Sequence, residues 1–192
     1  MLLENEGVNY SEKWLKIATY IGIVGASAFI VPYCASPRVD SKTLEEFSYV
    51  FGIISYIGEI IFTVIEAILL FLITRKMKSE GIEKPSSLLI YGMIACSILS
   101  TFGELFYWDD ILVYGYIALL LFIGLNFLSN QPTKMIGVSM LLFPVGTIFT
   151  VLVADSENHN RVIAILTALP FIAAAKFYLE SCKRFLTDKN ME

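Results

Sequence analysis

Histidine is almost missing from this chain: His159 is the only one among 192 residues. No His-Glu-x-x-His site or histidine-rich metal centre can be assembled within one copy. Cysteine is scarce as well. Cys34, Cys96 and Cys182 include no Cys-x-x-Cys pair, which removes thiol-redox chemistry of that kind. They fall at different depths of three apolar segments, too far apart for an internal disulfide, and read as small packing residues. Charge is thin, at 17% of residues against about 25% in soluble domains. No strongly basic stripe marks a nucleic-acid surface, so no nucleic acid is expected as a partner. A Gly-x-Ser-x-Gly elbow and a phosphate-cradling loop are both missing. The Asp109-Asp110 pair lacks the further acidic and basic residues of a metal-dependent phospholipid-head transferase. No cofactor and no metal site are expected, and nothing in the residues specifies an enzyme.

What the chain has in quantity is apolar surface: 56% of its residues are hydrophobic, and the mean hydropathy is +0.69. The apolar residues come in blocks of about 20 with short polar loops between them, the length a helix needs to cross a bilayer. Six spans are predicted, at Trp14–Cys34, Phe47–Thr74, Ser86–Trp108, Ile111–Ser129, Met135–Ala154 and Val162–Cys182. The expected fold is all-α, a polytopic six-transmembrane-helix bundle forming a single membrane domain over residues 1–192. Glu4, Glu6 and Glu12 all precede the first lysine, unlike the basic start of a cleavable signal, so the first span is expected to be retained.

Loop charges predict the orientation. With the N-terminus cytoplasmic, the inner segments hold Lys13, Lys16, Arg75, Lys76, Lys78, Lys84, Lys134, Lys183, Arg184 and Lys189, and the outer ones only Arg38, Lys42 and Arg161. Both termini are then cytoplasmic, in a multi-pass protein of the cell's inner (plasma) membrane whose immediate partner is the lipid bilayer. Tyr10 and Trp14 at the inner boundary, with Tyr33, Tyr49, Tyr107, Trp108 and Tyr114 at the outer, fit interfacial belts. Pro144 and Pro170 fall inside the fifth and sixth spans, where kinks are expected.

The second span carries the most organised polar pattern. Gly52, Ser55, Tyr56, Glu59, Thr63 and Glu66 recur every three or four residues and so share one helical face. Glu59 falls near mid-bilayer, and Glu66 lies about 10.5 Å further towards the cytoplasm. Carboxylates are costly in hydrocarbon and mark substrate or ion paths, so this stripe is the expected lining for a small molecule, a cation or a proton. Lys176, at a similar depth in the last span, is a candidate partner for Glu66, with Glu180 one turn on as its competitor. In the third span Ser97, Ser100, Thr101 and Glu104 share a face; Glu104, Trp108, Asp109 and Asp110 are the candidate outer rim. Ala18, Gly22 and Ala26 recur every four residues in the first span and let another helix approach closely. That helix is either internal or belongs to a homo-oligomer or partner membrane protein.

Tyr114-Gly115-Tyr116 near the start of the fourth span, and Lys134-Met135-Ile136-Gly137-Val138 opening the fifth, carry a resemblance. With the order of span lengths they resemble a family of bacterial six-helix integral membrane proteins of uncharacterised activity, over most of the chain. The resemblance implies the bundle and no particular chemistry. The size and helix number are also similar to substrate-binding membrane subunits of vitamin importers. The function expected is binding or translocation of a small molecule or ion along the second-span stripe. The alternatives are a non-catalytic membrane partner or regulatory subunit, and an intramembrane enzyme using Glu59, Glu66 or Glu104 as acid or base.

Overall fold

A computed structural model describes residues 11–35, 43–103, 109–154 and 161–188. Among these residues the chain forms six helices and no strand: α1 (Glu12–Ala35), α2 (Thr43–Ser79), α3 (Ser87–Gly103), α4 (Asp109–Leu128), α5 (Lys134–Ala154) and α6 (Arg161–Thr187). Each predicted span overlaps a helix; the end of the third, at 104–108, lies outside the described residues. Among the described residues three stretches are long and apolar enough to cross a membrane: Glu12–Val31, Tyr49–Ser79 and Ile111–Leu128. The apolar stretches Ser87–Phe102 and Lys134–Gly146 are shorter.

Two helices outrun their predicted apolar cores. α2 continues through Arg75, Lys76 and Lys78, and α6 through Lys183 and Arg184. Long basic side chains are good helix formers, and their charge offsets the negative C-terminal end of the helix dipole. α2 stops where Gly81 takes a left-handed conformation (φ 69°). There the Ile82 N–H donates to the Met77 carbonyl (2.9 Å) and the Gly81 N–H to the Lys78 carbonyl (3.4 Å), which is a Schellman cap.

The helices form a closed ring in chain order, with α6 returning against α1 and α2 also reaching α6. α2 is therefore the central helix: half of its apolar span is buried, against 22% for that of α4. α4 is apolar on every side, with Leu120, Ile123 and Phe127 buried and Leu121, Phe122 and Leu125 exposed. A helix without a polar face suits hydrocarbon on one side and protein on the other.

Small residues set the spacing of the ring. A Cβ added to Gly58 of α2 would collide with the backbone of α1 at Phe29, at Ala28 (2.6 Å) and at the Gly25 carbonyl oxygen (2.7 Å). Gly25 faces Gly58 and Phe62 in return, and the Ser55 hydroxyl donates to the Phe29 carbonyl (2.7 Å) across the same crossing. A second pair, Gly124 and Gly137, performs this role between α4 and α5. Ala18, Gly22 and Ala26 are turned into the bundle. Ala26 is fully buried, Ala18 packs on the core, and a Cβ on Gly22 would meet Leu179 of α6 (2.8 Å) and Ile65 of α2 (3.0 Å).

One end of the bundle is tied by polar contacts. The Lys76 ammonium, on a 7% exposed residue, donates to the carbonyls of Phe185 (2.6 Å) and Asp188 (2.7 Å), the last turn of α6. It also lies 5.1 Å from the Phe185 ring and 3.4 Å from Glu80. Those carbonyls have no partner within their own helix, and a cation at the negative end of the dipole serves them well. At the same end the Asn130 side-chain amide donates to the Lys84 carbonyl (2.8 Å), joining the α2–α3 and α4–α5 turns.

Gly58→Ala is expected to lower stability by about 3 kcal/mol, because backbone rather than a flexible side chain opposes the added methyl. Lys76→Met is expected to cost about 2 kcal/mol by orphaning two carbonyls. Thermal unfolding in detergent micelles measures both.

Candidate functional site

The buried face of α2 brings Phe62, Thr63, Ile65 and Glu66 into the ring, since residues three and four apart share a helical side. Glu66 is 1% exposed. Each of its oxygens accepts a hydrogen bond from a different helix: Oε1 from the Tyr116 hydroxyl of α4 (2.7 Å), Oε2 from the Ser97 hydroxyl of α3 (3.1 Å). The carboxyl thereby joins three helices.

Further hydroxyls continue the network. Thr101 donates its single proton to the Ser97 carbonyl (3.1 Å). The 3.0 Å contact between the Thr63 and Thr101 hydroxyls must then run from Thr63 to Thr101. Ser100 also donates to the Ser97 carbonyl (2.9 Å). The Tyr178 hydroxyl, on α6, is fully buried and faces the Glu66 carboxyl.

Beside this network is a cavity of about 220 Å³ to which all six helices contribute. Its polar side is Glu59, Thr63, Glu66, Ser97, Ser100, Thr101 and Tyr116. Its apolar side is a box of four phenylalanines, Phe29, Phe62, Phe143 and Phe171, with Val113, Ile117, Leu120 and Pro144. The Phe62 and Phe143 rings are stacked at 5.6 Å and 7°, and Phe171 lies tilted against both Phe143 (5.2 Å) and Phe29 (5.9 Å). Ser55 and Gly58 hold Phe29 in this box by fixing α1 against α2. Glu66, Ser97 and Leu120 are buried, whereas Glu59 and Ser100 are half-buried and Val113 is 42% exposed. The accessible side is therefore the one marked by Glu59, Ser100 and Val113. No basic residue occurs among the described residues lining the cavity.

The stripe predicted on the second span divides. Glu59, Thr63 and Glu66 reach the cavity, Ser55 is spent on the α1 crossing, Tyr56 is half-buried outside the lining, and Gly52 is exposed. Lys176 does not meet Glu66. It stands on the outward face of α6, its side chain 58% exposed, with its ammonium 3.9 Å from Glu180. Of the outer-rim residues, Glu104 and Trp108 lie outside the described residues. Asp109 and Asp110 open α4, with side chains outside the described set. Ser97, Ser100 and Thr101, which share a face of the third span, wall the Glu66 cavity. Tyr116, Tyr178 and the phenylalanine box were missed. A tyrosine in mid-span is the one signal for Tyr116, because a phenol there needs a partner; the phenylalanines have none in a chain rich in them.

Tyr116→Phe is expected to destabilise the bundle by about 2 kcal/mol, since it removes a buried hydrogen bond to the Glu66 carboxyl. The loss should shrink by about half in a Glu66→Gln background, where the acceptor is neutral; a double-mutant cycle on thermal unfolding reads the coupling.

No known family, curated protein or solved structure matches the chain.

Proposed function

We propose that this is a six-span protein of the inner membrane, with both termini cytoplasmic, that binds or translocates a small molecule or ion in the Glu66 cavity. One observation carries the reading: a cavity of about 220 Å³, walled by every helix, holds a fully buried carboxyl. A carboxyl placed only to lock helices together would be best served by close packing around it. A cavity beside a few convergent polar groups is instead the usual form of a ligand site.

Orientation follows from charge. Arg75, Lys76, Lys78, Lys84, Lys134, Lys183 and Arg184 lie at the end of the bundle where Lys76 caps α6 and Asn130 joins the two turns. With that end cytoplasmic, the cavity occupies the outer half, because α3 and α4 line it near the C-terminus of one and the N-terminus of the other. Of the two carboxylates lining the cavity, Glu59 is then the outer and Glu66 the deeper. All six helices cross in this reading.

Thermal unfolding of the purified chain against a panel of small cations, anions and neutral molecules tests the reading. At least one class should raise the midpoint of the wild-type protein. The rise should vanish in Glu66→Gln and in Val113→Trp, which fills the cavity from its accessible side. Rises that survive both substitutions, or none across the panel, would overturn it.

A further inference from the structure

We infer that the ligand is a small organic monocation: an ammonium group seated at Glu66, carrying an apolar body of roughly one aromatic ring within the phenylalanine box. The inference rests on the binding reading above and assigns the ligand's chemistry. Three observations point to it.

The hydrogen-bond inventory is one-sided. Ser97 and Tyr116 already direct their protons to Glu66, Thr101 directs its own to a backbone carbonyl, and Thr63 donates to Thr101. What these groups still offer is lone pairs. The Tyr178 hydroxyl, buried beside Glu66, has that carboxyl as the natural acceptor for its own proton, so it too is left with a lone pair to offer. An alkylammonium has three donors and no acceptor, the complement of such a surface, whereas an anion would meet a carboxylate and few free donors.

Charge agrees. Glu59 and Glu66 both line the cavity, and no described lining residue is basic. Glu59 is half-buried whereas Glu66 is fully buried, so Glu66 is the carboxyl that gains most from a cation.

Size and walls separate an organic cation from an inorganic one. A cavity of 220 Å³ is larger than the engineered apolar cavity of about 150 Å³ that accommodates benzene. A bare ion would use the few oxygens and leave the phenyl wall facing empty space or waters with nothing to bond. Among the described residues, no three His, Cys, Asp or Glu side chains come together as a divalent ion would need. Phenyl faces attract a cation within about 6 Å and bury an apolar body, so one amphipathic cation uses both walls.

Isothermal titration calorimetry on the full chain in detergent micelles tests the inference, with 2-phenylethylammonium chloride as the probe. Three counter-probes accompany it: neutral 2-phenylethanol, anionic 3-phenylpropionate, and sodium chloride. Val113→Trp in the same micelles subtracts partitioning into detergent. Saturable binding of the ammonium probe is expected in wild type, at least tenfold tighter than the alcohol, and lost in Val113→Trp. Glu66→Gln should weaken the ammonium probe at least tenfold and leave the alcohol within about twofold. Glu66→Asp, which keeps the charge, should retain part of the difference and shows that the Gln result is not a folding defect. Cavity-dependent binding of the alcohol, the anion or sodium as tight as the ammonium would overturn the organic-cation assignment and leave the binding site standing. No cavity-dependent heat from any of the four probes would overturn both.

Discussion

A carboxyl group carried into an apolar bundle must find polar partners there, because an unpaired buried charge costs more than most single interactions return. Glu66 finds them on two other helices, in Tyr116 and Ser97, and so fixes how α2, α3 and α4 face one another. Beside it the Thr101 hydroxyl donates to the Ser97 backbone carbonyl, and that commitment directs the Thr63 proton to Thr101. The geometry of the cavity is a consequence of that network. Its polar wall is the network, and its apolar wall is what α1, α5 and α6 place opposite together with Phe62 of α2 and the apolar residues of α4.

Around this centre the bundle is closed by contacts of a different kind. Gly58 against Gly25, and Gly124 against Gly137, bring backbones together where no side chain intervenes. Close approach of this type relies on dispersion and shape, which persist in hydrocarbon when the hydrophobic effect between helices does not. The α1–α2 crossing also shapes the cavity, because it sets Phe29 in its wall. Lys76 works at the opposite end, satisfying the last carbonyls of α6 and keeping that helix in register with α2. The site thus lies between a close-packed crossing and a polar clasp.

Much of the fold was legible in the chain. Helix positions followed from apolar block length, and the basic continuations of α2 and α6 were under-read only because charge was taken as the end of a span. Glu59, Thr63 and Glu66 were legible as a stripe because a carboxylate in such a run is conspicuous. Lys176 shows where that reasoning stops. Its depth matches Glu66, but depth carries no information about azimuth. Ala175, Tyr178, Leu179 and Cys182 turn inward on α6, while Lys176 and Glu180 turn outward. Likewise Gly22 and Ala26 were legible as a close-packing face, but only contacts with Leu179 and Ile65 identify the helices that fill it.

Apolar block lengths, loop charge and two misplaced carboxylates therefore determined the helices and marked α2 as the one to watch. The tertiary structure alone decided that Ser97, Tyr116 and Tyr178 gather at Glu66 and that four phenylalanines from four helices form the facing wall. The reason is physical. In a water-soluble helix polarity distinguishes the inner face from the outer, but here both faces are apolar, as they are along α4. The sequence pattern then gives position along each helix and leaves rotation about its axis to packing.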